Sequence, residues 1–99
     1  MTQGIIKVYA LYTEFESDAN KSNSNKTKHG IDFREAQALW DDPDLIEIPA
    51  RISDEPRLLV IGRIAGKHRS AVITYRGDRI RIISARRASQ KEVDIYESA

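Results

Sequence analysis

Cysteine is absent from the 99 residues. That excludes a disulfide framework and a zinc–thiolate site, and it fits a reducing cytosol. No apolar run approaches the roughly 20 residues that span a bilayer. The N-terminus has neither the apolar core nor the small-residue cleavage site of a secretory signal. Also missing are a glycine-rich dinucleotide fingerprint, a P-loop and a nucleophile elbow. Asp41, Asp42 and Asp44 cluster, and two histidines exist, but the spacing follows neither an EF-hand nor HExxH. The expectation is one cytoplasmic domain over residues 1–99, with no membrane contact, no metal and no other cofactor. A chain this short buries only about 60–65% of its unfolded surface, so its stability is modest.

What is present is charge, and it is unevenly placed. The net charge of +1 conceals two blocks. From Gly30 to Pro56, eight acids face two bases, giving −6. From Arg57 to Arg87, nine bases face Asp78 alone, giving +8. Such segregation either makes a two-poled surface or lets the blocks pair with each other in the fold.

Gly4 to Phe15 is rich in β-formers and predicts a first strand ending near Glu16. Asp18 can cap a helix running to His29, with Gly30 as its left-handed stop. That helix is strongly polar and rich in asparagine and serine, so specific polar contacts or a partner must hold it. Lys21, Asn25 and Lys28 share one of its faces. Asp32 and Glu35 have capping-box spacing for a second helix, whose stripe Phe33, Ala36, Leu39 and Trp40 faces a core. A short segment broken at Pro49 follows, then strands over Leu58–Ile64, Ser70–Arg76 and Arg79–Ala85. Their connections are a turn at Ala65–His68 and a Gly77–Asp78 turn of the type II′ kind. The latter also accounts for the Arg-Gly-Asp tripeptide. Ser89 and Glu92 open a C-terminal helix with Val93 and Tyr96 on one side. This order is α+β: an antiparallel sheet with two helices inserted after the first strand and a C-terminal helix. The inserted helices cover one face, and the other is expected to stay open.

Arg79-Ile80-Arg81-Ile82 alternates, so the isoleucines face one side and the guanidiniums the other. Arg76, Arg86 and Arg87 extend the run. It serves either as a charged strand that deters edge pairing or as a surface for a polyanion, since guanidinium forks match phosphate oxygens. Such a surface suits metal-free RNA cleavage. RNA carries its own nucleophile, fixed cations stabilise the phosphorane, and a lysine or histidine can move protons. His29, beside Lys28, either meets the helix dipole or acts as acid or base. His68 is expected to be exposed in its turn.

Three segments resemble the BrnT family of type II toxins: Phe15–Ala36, Arg57–Arg63 and Tyr75–Glu97. Phe15, Glu16, Asp18, Lys21, Asn25, Lys28, His29 and Gly30 match its opening pattern, while Ser17 and Ala19 stand where the family has tryptophan and proline. Glu55 lies one place early of a Glu-Arg pair, with Arg57 in register. The resemblance covers residues 15–97 and leaves 1–14 as a strand-like extension. It implies a RelE-like fold and an endoribonuclease toxin that inhibits translation. It also implies neutralisation by a ribbon-helix-helix antitoxin of the BrnA type, with DNA bound only through that complex. On this basis Lys28, His29, Arg86 and Arg87 are the expected catalytic groups. Arg57, Arg76, Arg79, Arg81 and Lys21 are the expected RNA contacts. A toxin-like module that binds RNA or antitoxin without cutting remains the alternative. A DNA-binding regulator is a weaker one, since no helix carries a basic recognition face.

Overall fold

The computed structural model describes residues 14–51 and 55–99. Most of the strand expected from Gly4, and the turn residues Ser53 and Asp54, lie outside them. The chain runs through β1 (Glu14–Glu16), α1 (Ala19–His29), α2 (Phe33–Ala36) with a 3₁₀ turn over Gln37–Asp41, and β2 (Ile46–Arg51). It continues through β3 (Arg57–Ile64), β4 (Lys67–Arg76), β5 (Arg79–Arg87) and α3 (Gln90–Ser98). The strands form one sheet in the order β1-β5-β4-β3-β2.

The class is α+β, but the sheet is mixed rather than antiparallel. β1 pairs in parallel with β5, placing Glu14, Phe15 and Glu16 beside Arg79, Ile80 and Arg81. The helical excursion returns the chain to the far edge of the sheet. The three antiparallel pairings that follow leave β5 running the same way as β1. Pro49 is tolerated within β2 because that strand is an edge with a register shift between Pro49 and Arg51.

α1 forms where its caps predict. The Asp18 side chain accepts from Lys21 N at 3.0 Å, and Gly30 takes φ 75°. Its single buried residue is Asn25, which explains how so polar a helix is held. Asn25 Nδ2 donates to the carbonyls of Ile31 and Ala85, both at 2.7 Å, and its Oδ1 accepts from Ala85 N at 3.4 Å. β1 covers the edge of β5 only from Arg79 to Arg81. The Asn25 amide takes over farther along, satisfying the edge as a strand residue would. Ser22 Oγ accepts from Phe33 N at 2.9 Å, tying α1 to α2.

The second helix has its complete capping box at Asp32 and Glu35. It tightens into 3₁₀ geometry after Ala36 instead of continuing as α, a common ending for a helix about to turn. Phe33, Ala36, Leu39 and Trp40 are buried against Val60, Ala71, Ile73, Ile80, Ile82 and Ala85. Phe15 meets Trp40 edge-on at 5.0 Å.

The opposite face is not wholly open. α3, with its capping box formed at Ser89 and Glu92, packs Val93 and Tyr96 against Ile61. It covers the Arg87 end of that face, because the short Ala88–Ser89 link folds it straight back. The β3–β4 turn is also tighter than expected. Ala65 and Gly66 alone form it, both at positive φ (51° and 80°), while Lys67 and His68 belong to β4. Gly77 has φ 62° and Asp78 does not share the positive sign, as a type II′ turn requires.

Candidate functional site

β5 positions most of the candidate residues, and its two ends differ. Ile80 and Ile82 are buried at 0% and 2% exposure, so Arg79 and Arg81 point to the α3 face. Arg76 joins them from β4, two residues beyond Thr74, which pairs with Arg81. Arg57 joins from β3, since its neighbour Leu58 packs on the helix-side core. These four arginines occupy the Arg79 end of the face, which α3 leaves uncovered. Thr74, 1% exposed and donating to the Pro56 carbonyl at 2.8 Å, lies beside Arg81 at its floor.

Glu16 stands among them. Its carboxylate lies 3.4 Å from Arg81 Nη1, 3.6 Å from Arg79 Nη1 and 3.8 Å from Arg76 Nε. Glu55 reaches Arg76 Nη2 at 3.1 Å, and Glu14 lies 3.8 Å from Arg79. Among the described residues, the ion pairs of the basic block therefore go mainly to acids outside the acidic block, with Glu55 the exception. The two blocks do not simply cancel. Nothing in the local sequence around Glu16 marks it as part of this group. Only the parallel pairing of β1 brings it there.

A bulge divides the rest of the arginine run. Ile82 pairs with Ile73 and Ser84 with Val72, so Ile83 is an extra residue. Side-chain parity flips there. Arg86 falls on the α3 face opposite Ser70, while Arg87 falls on the helix face beside Arg69. Arg86 is committed to α3: it donates to both Glu92 oxygens, at 2.7 and 2.8 Å, and to the Arg87 carbonyl at 3.1 Å. Glu92 also accepts from Ser70 Oγ and Ser89 N, both at 2.8 Å. The Arg86 guanidinium first, and these donors with it, pull the Glu92 carboxyl down to about 2.

Lys28 and His29 are exposed and lie elsewhere. α1 starts near Arg81, whose charge helps the Lys21 N–H hold the Asp18 carboxyl low. It is bonded to Ala85 midway, so its last turn emerges toward Arg87. Arg69 belongs to that end as well. Its charge acts, after the Lys26 ammonium and the Asp32 N–H, to hold the Glu35 carboxyl below the usual range. Lys21 is exposed on the first turns of α1. The structure thus brings together Arg57, Arg76, Arg79 and Arg81. It sets Lys28, His29 and Arg87 at the other end of β5, with Arg86 between them under α3.

His68 is not a free turn residue. Its Nε2 is 2.7 Å from Glu97 and its ring meets Tyr96 edge-on at 5.3 Å, because β4 has already begun at Lys67. It lines a cleft of about 310 Å³ with Lys67, Arg87 and Gln90. A larger cleft, about 450 Å³, lies between the Asp41–Asp44 turn and α3. Three carboxylates line it against Arg63 alone, which makes it unsuited to a polyanion. Asp42 there is a structural clamp: it accepts from Asp44 N at 2.9 Å, Arg63 N at 2.8 Å and the Tyr96 hydroxyl at 2.7 Å. Burial, and then that carboxylate, push the Tyr96 phenol up. Among the described residues no three His, Asp or Glu side chains converge as a metal site, and no helix is long and apolar enough to cross a membrane.

A family model described as the ribonuclease toxin BrnT of type II toxin–antitoxin systems matches residues 18–92. No curated protein matches the chain.

Proposed function

The chain belongs to the BrnT family of ribonuclease toxins of type II toxin–antitoxin systems, and on that footing we propose that it cleaves RNA on the open, arginine-lined end of its sheet without a metal ion. The observation that carries this reading is that Arg57, Arg76, Arg79 and Arg81 share one end of a sheet face that no described helix covers, with Glu16 beside the last three. Fixed guanidiniums bind backbone phosphate and stabilise the charge that grows on the phosphorane, the task a metal would otherwise perform. Lys28, His29 and Arg87, at the far end of β5, hold the flanking strand. Arg86 serves this surface indirectly by fixing α3 through Glu92. In the cytoplasm, RNA cleavage of this kind inhibits translation.

The fold is of the RelE-like kind in this reading, supported by a sheet whose helices follow its first strand. The antitoxin is of the BrnA type, with a ribbon-helix-helix domain, and DNA is contacted only through that complex. An acidic antitoxin segment would cover the arginine face, which already accommodates Glu14, Glu16 and Glu55.

The test is incubation of the purified protein with single-stranded RNA in EDTA. Cleavage should persist in the chelator and fall at least a hundredfold in Arg76→Ala and Arg81→Ala variants. Salt-sensitive binding with the RNA left intact would favour a non-catalytic binding module instead.

A further inference from the structure

Resting on the reading that RNA is cut at the arginine face, we infer that Glu16 is the general base that removes the proton from the attacking 2′-hydroxyl. Three features converge on it. Glu16 is held on β1, a strand fixed by pairing to β5, with Phe15 beside it packed edge-on to Trp40. Its carboxylate is partly open, with 24% of the side chain exposed. It also sits among three guanidiniums without saturating them. Each carries five N–H donors, and the contacts here are 3.4–3.8 Å. Donors remain for a phosphate, and a phosphate held by these arginines lies next to the carboxylate.

The chemistry balances without further groups. The 2′-oxygen attacks phosphorus, the O2′–P bond forms, and its proton passes to Glu16. The P–O5′ bond breaks, O5′ leaves with a proton from water, and the hydroxide so formed takes the proton back from Glu16. The products are a 2′,3′-cyclic phosphate and a 5′-hydroxyl. Proton transfer moves one negative charge from Glu16 to the phosphorane, and the same arginines can follow it. They partner the carboxylate before the step and the phosphorane during it, so their stabilisation is greatest where the barrier lies.

A spacer role, in which Glu16 only relieves repulsion among the arginines, predicts different kinetics. Among the described residues, the charged groups facing Glu16 are Arg76, Arg79 and Arg81, with Glu14 and Glu55 beside two of them. Asp18 lies within reach of Arg81. The experiment compares wild type, Glu16→Gln and Glu16→Asp, each confirmed folded by thermal unfolding. Single-turnover cleavage of a short RNA is measured across pH, alongside binding of the same oligomer with a 2′-deoxy residue at the cut. Glu16→Gln should lower the cleavage rate about 10²–10⁴-fold. It should bind the deoxy oligomer at least as tightly as wild type and lose the acid limb of its pH–rate profile. Glu16→Asp, which keeps a carboxylate, should cleave slowly with that limb retained. Glu16→Gln cleavage within about threefold of wild type, acid limb intact, would overturn the assignment while Arg81→Ala stays inactive. Wild-type cleavage by Arg76→Ala and Arg81→Ala would overturn the location of the site, and Glu16 with it.

Discussion

The two faces of this sheet are built from the same strands by opposite means. The helix face is closed by shape: Phe33, Leu39 and Trp40 fill it against Ile73, Ile80 and Ile82, all at or below 7% exposure. The α3 face is closed over only part of its length, and there mostly by polar latches: Glu92 to Arg86 and Ser70, Glu97 to His68, and Tyr96 to Asp42. Beyond α3 no described helix covers it, and its arginines stand over buried Thr74. Alternate residues of β5 therefore belong to different problems. Ile80 and Ile82 stabilise the fold, while Arg79 and Arg81 hold charge where an anion can reach it. Apolar packing fixes the position of β5, while its Arg79 and Arg81 guanidiniums pair with Glu14 and Glu16 and its Arg86 guanidinium latches α3.

The sharpest way to break that division is a pair of adjacent substitutions. Arg81→Ala should cut RNA cleavage by at least a hundredfold with little change in melting temperature. Ile82→Ala should cost about 2–5 kcal/mol of stability by leaving a cavity. Its effect on cleavage should vanish under conditions where the variant is still folded. Denaturant melts and cleavage rates on both proteins check this. Equal effects on both readouts from either variant would show that the faces are not independent.

A smaller effect is expected at the edge of β5. Asn25→Ala removes the amide that serves Ala85 N–H, the Ala85 carbonyl and the Ile31 carbonyl. Buried backbone groups left unpaired cost about 1–3 kcal/mol. The amides of α1 should then exchange with solvent faster than those of β4. This residue also shows what can be read before a structure exists. A helix so poor in apolar residues requires polar anchoring, and the i, i+4, i+7 face containing Asn25 follows from spacing alone. The caps at Asp18, Asp32 and Ser89 were legible for the same reason: each is a contact three residues long. The alternation Arg79–Ile82 was equally local.

What stayed hidden depends on partners far away in the chain. The extra residue at Ile83 is visible only in the register with β4, yet it decides that Arg86 goes to α3 and Arg87 to the other face. The parallel pairing of β1 puts Glu16 among the arginines, and residues 16 and 81 have no local relation. His68 looked like a turn residue because the strand start at Lys67 depends on the tight Ala65–Gly66 turn. Charge blocks were visible, but their pairing was not. The β5 arginines meet Glu14, Glu16 and Glu92, none of them in the acidic block.

The polar closure of the α3 face carries a pH signature that the apolar face lacks. Glu92 has its folded-state value drawn from the ordinary 4.5 to about 2, chiefly by Arg86. A depressed carboxylate contributes stability that is fully present above its unfolded value and is lost as pH falls through the folded one. The window is thus from roughly pH 4.5 down to 2, and the linked contribution is about 3 kcal/mol. Acidification should release α3 before the helix-side core yields. Tyr96 should become accessible and α3 amides should lose protection while Trp40 stays buried. Glu92→Gln should be destabilised relative to wild type at pH 7, with the difference shrinking toward pH 2. The Lys26–Glu35 pair offers the control, since both side chains are half exposed. Exposed pairs of this kind contribute little. Glu35→Gln should therefore melt with wild type at pH 7, although its carboxyl is also held low. If it melts well below Glu92→Gln, the stability of this sheet does not divide between its faces as their contacts indicate.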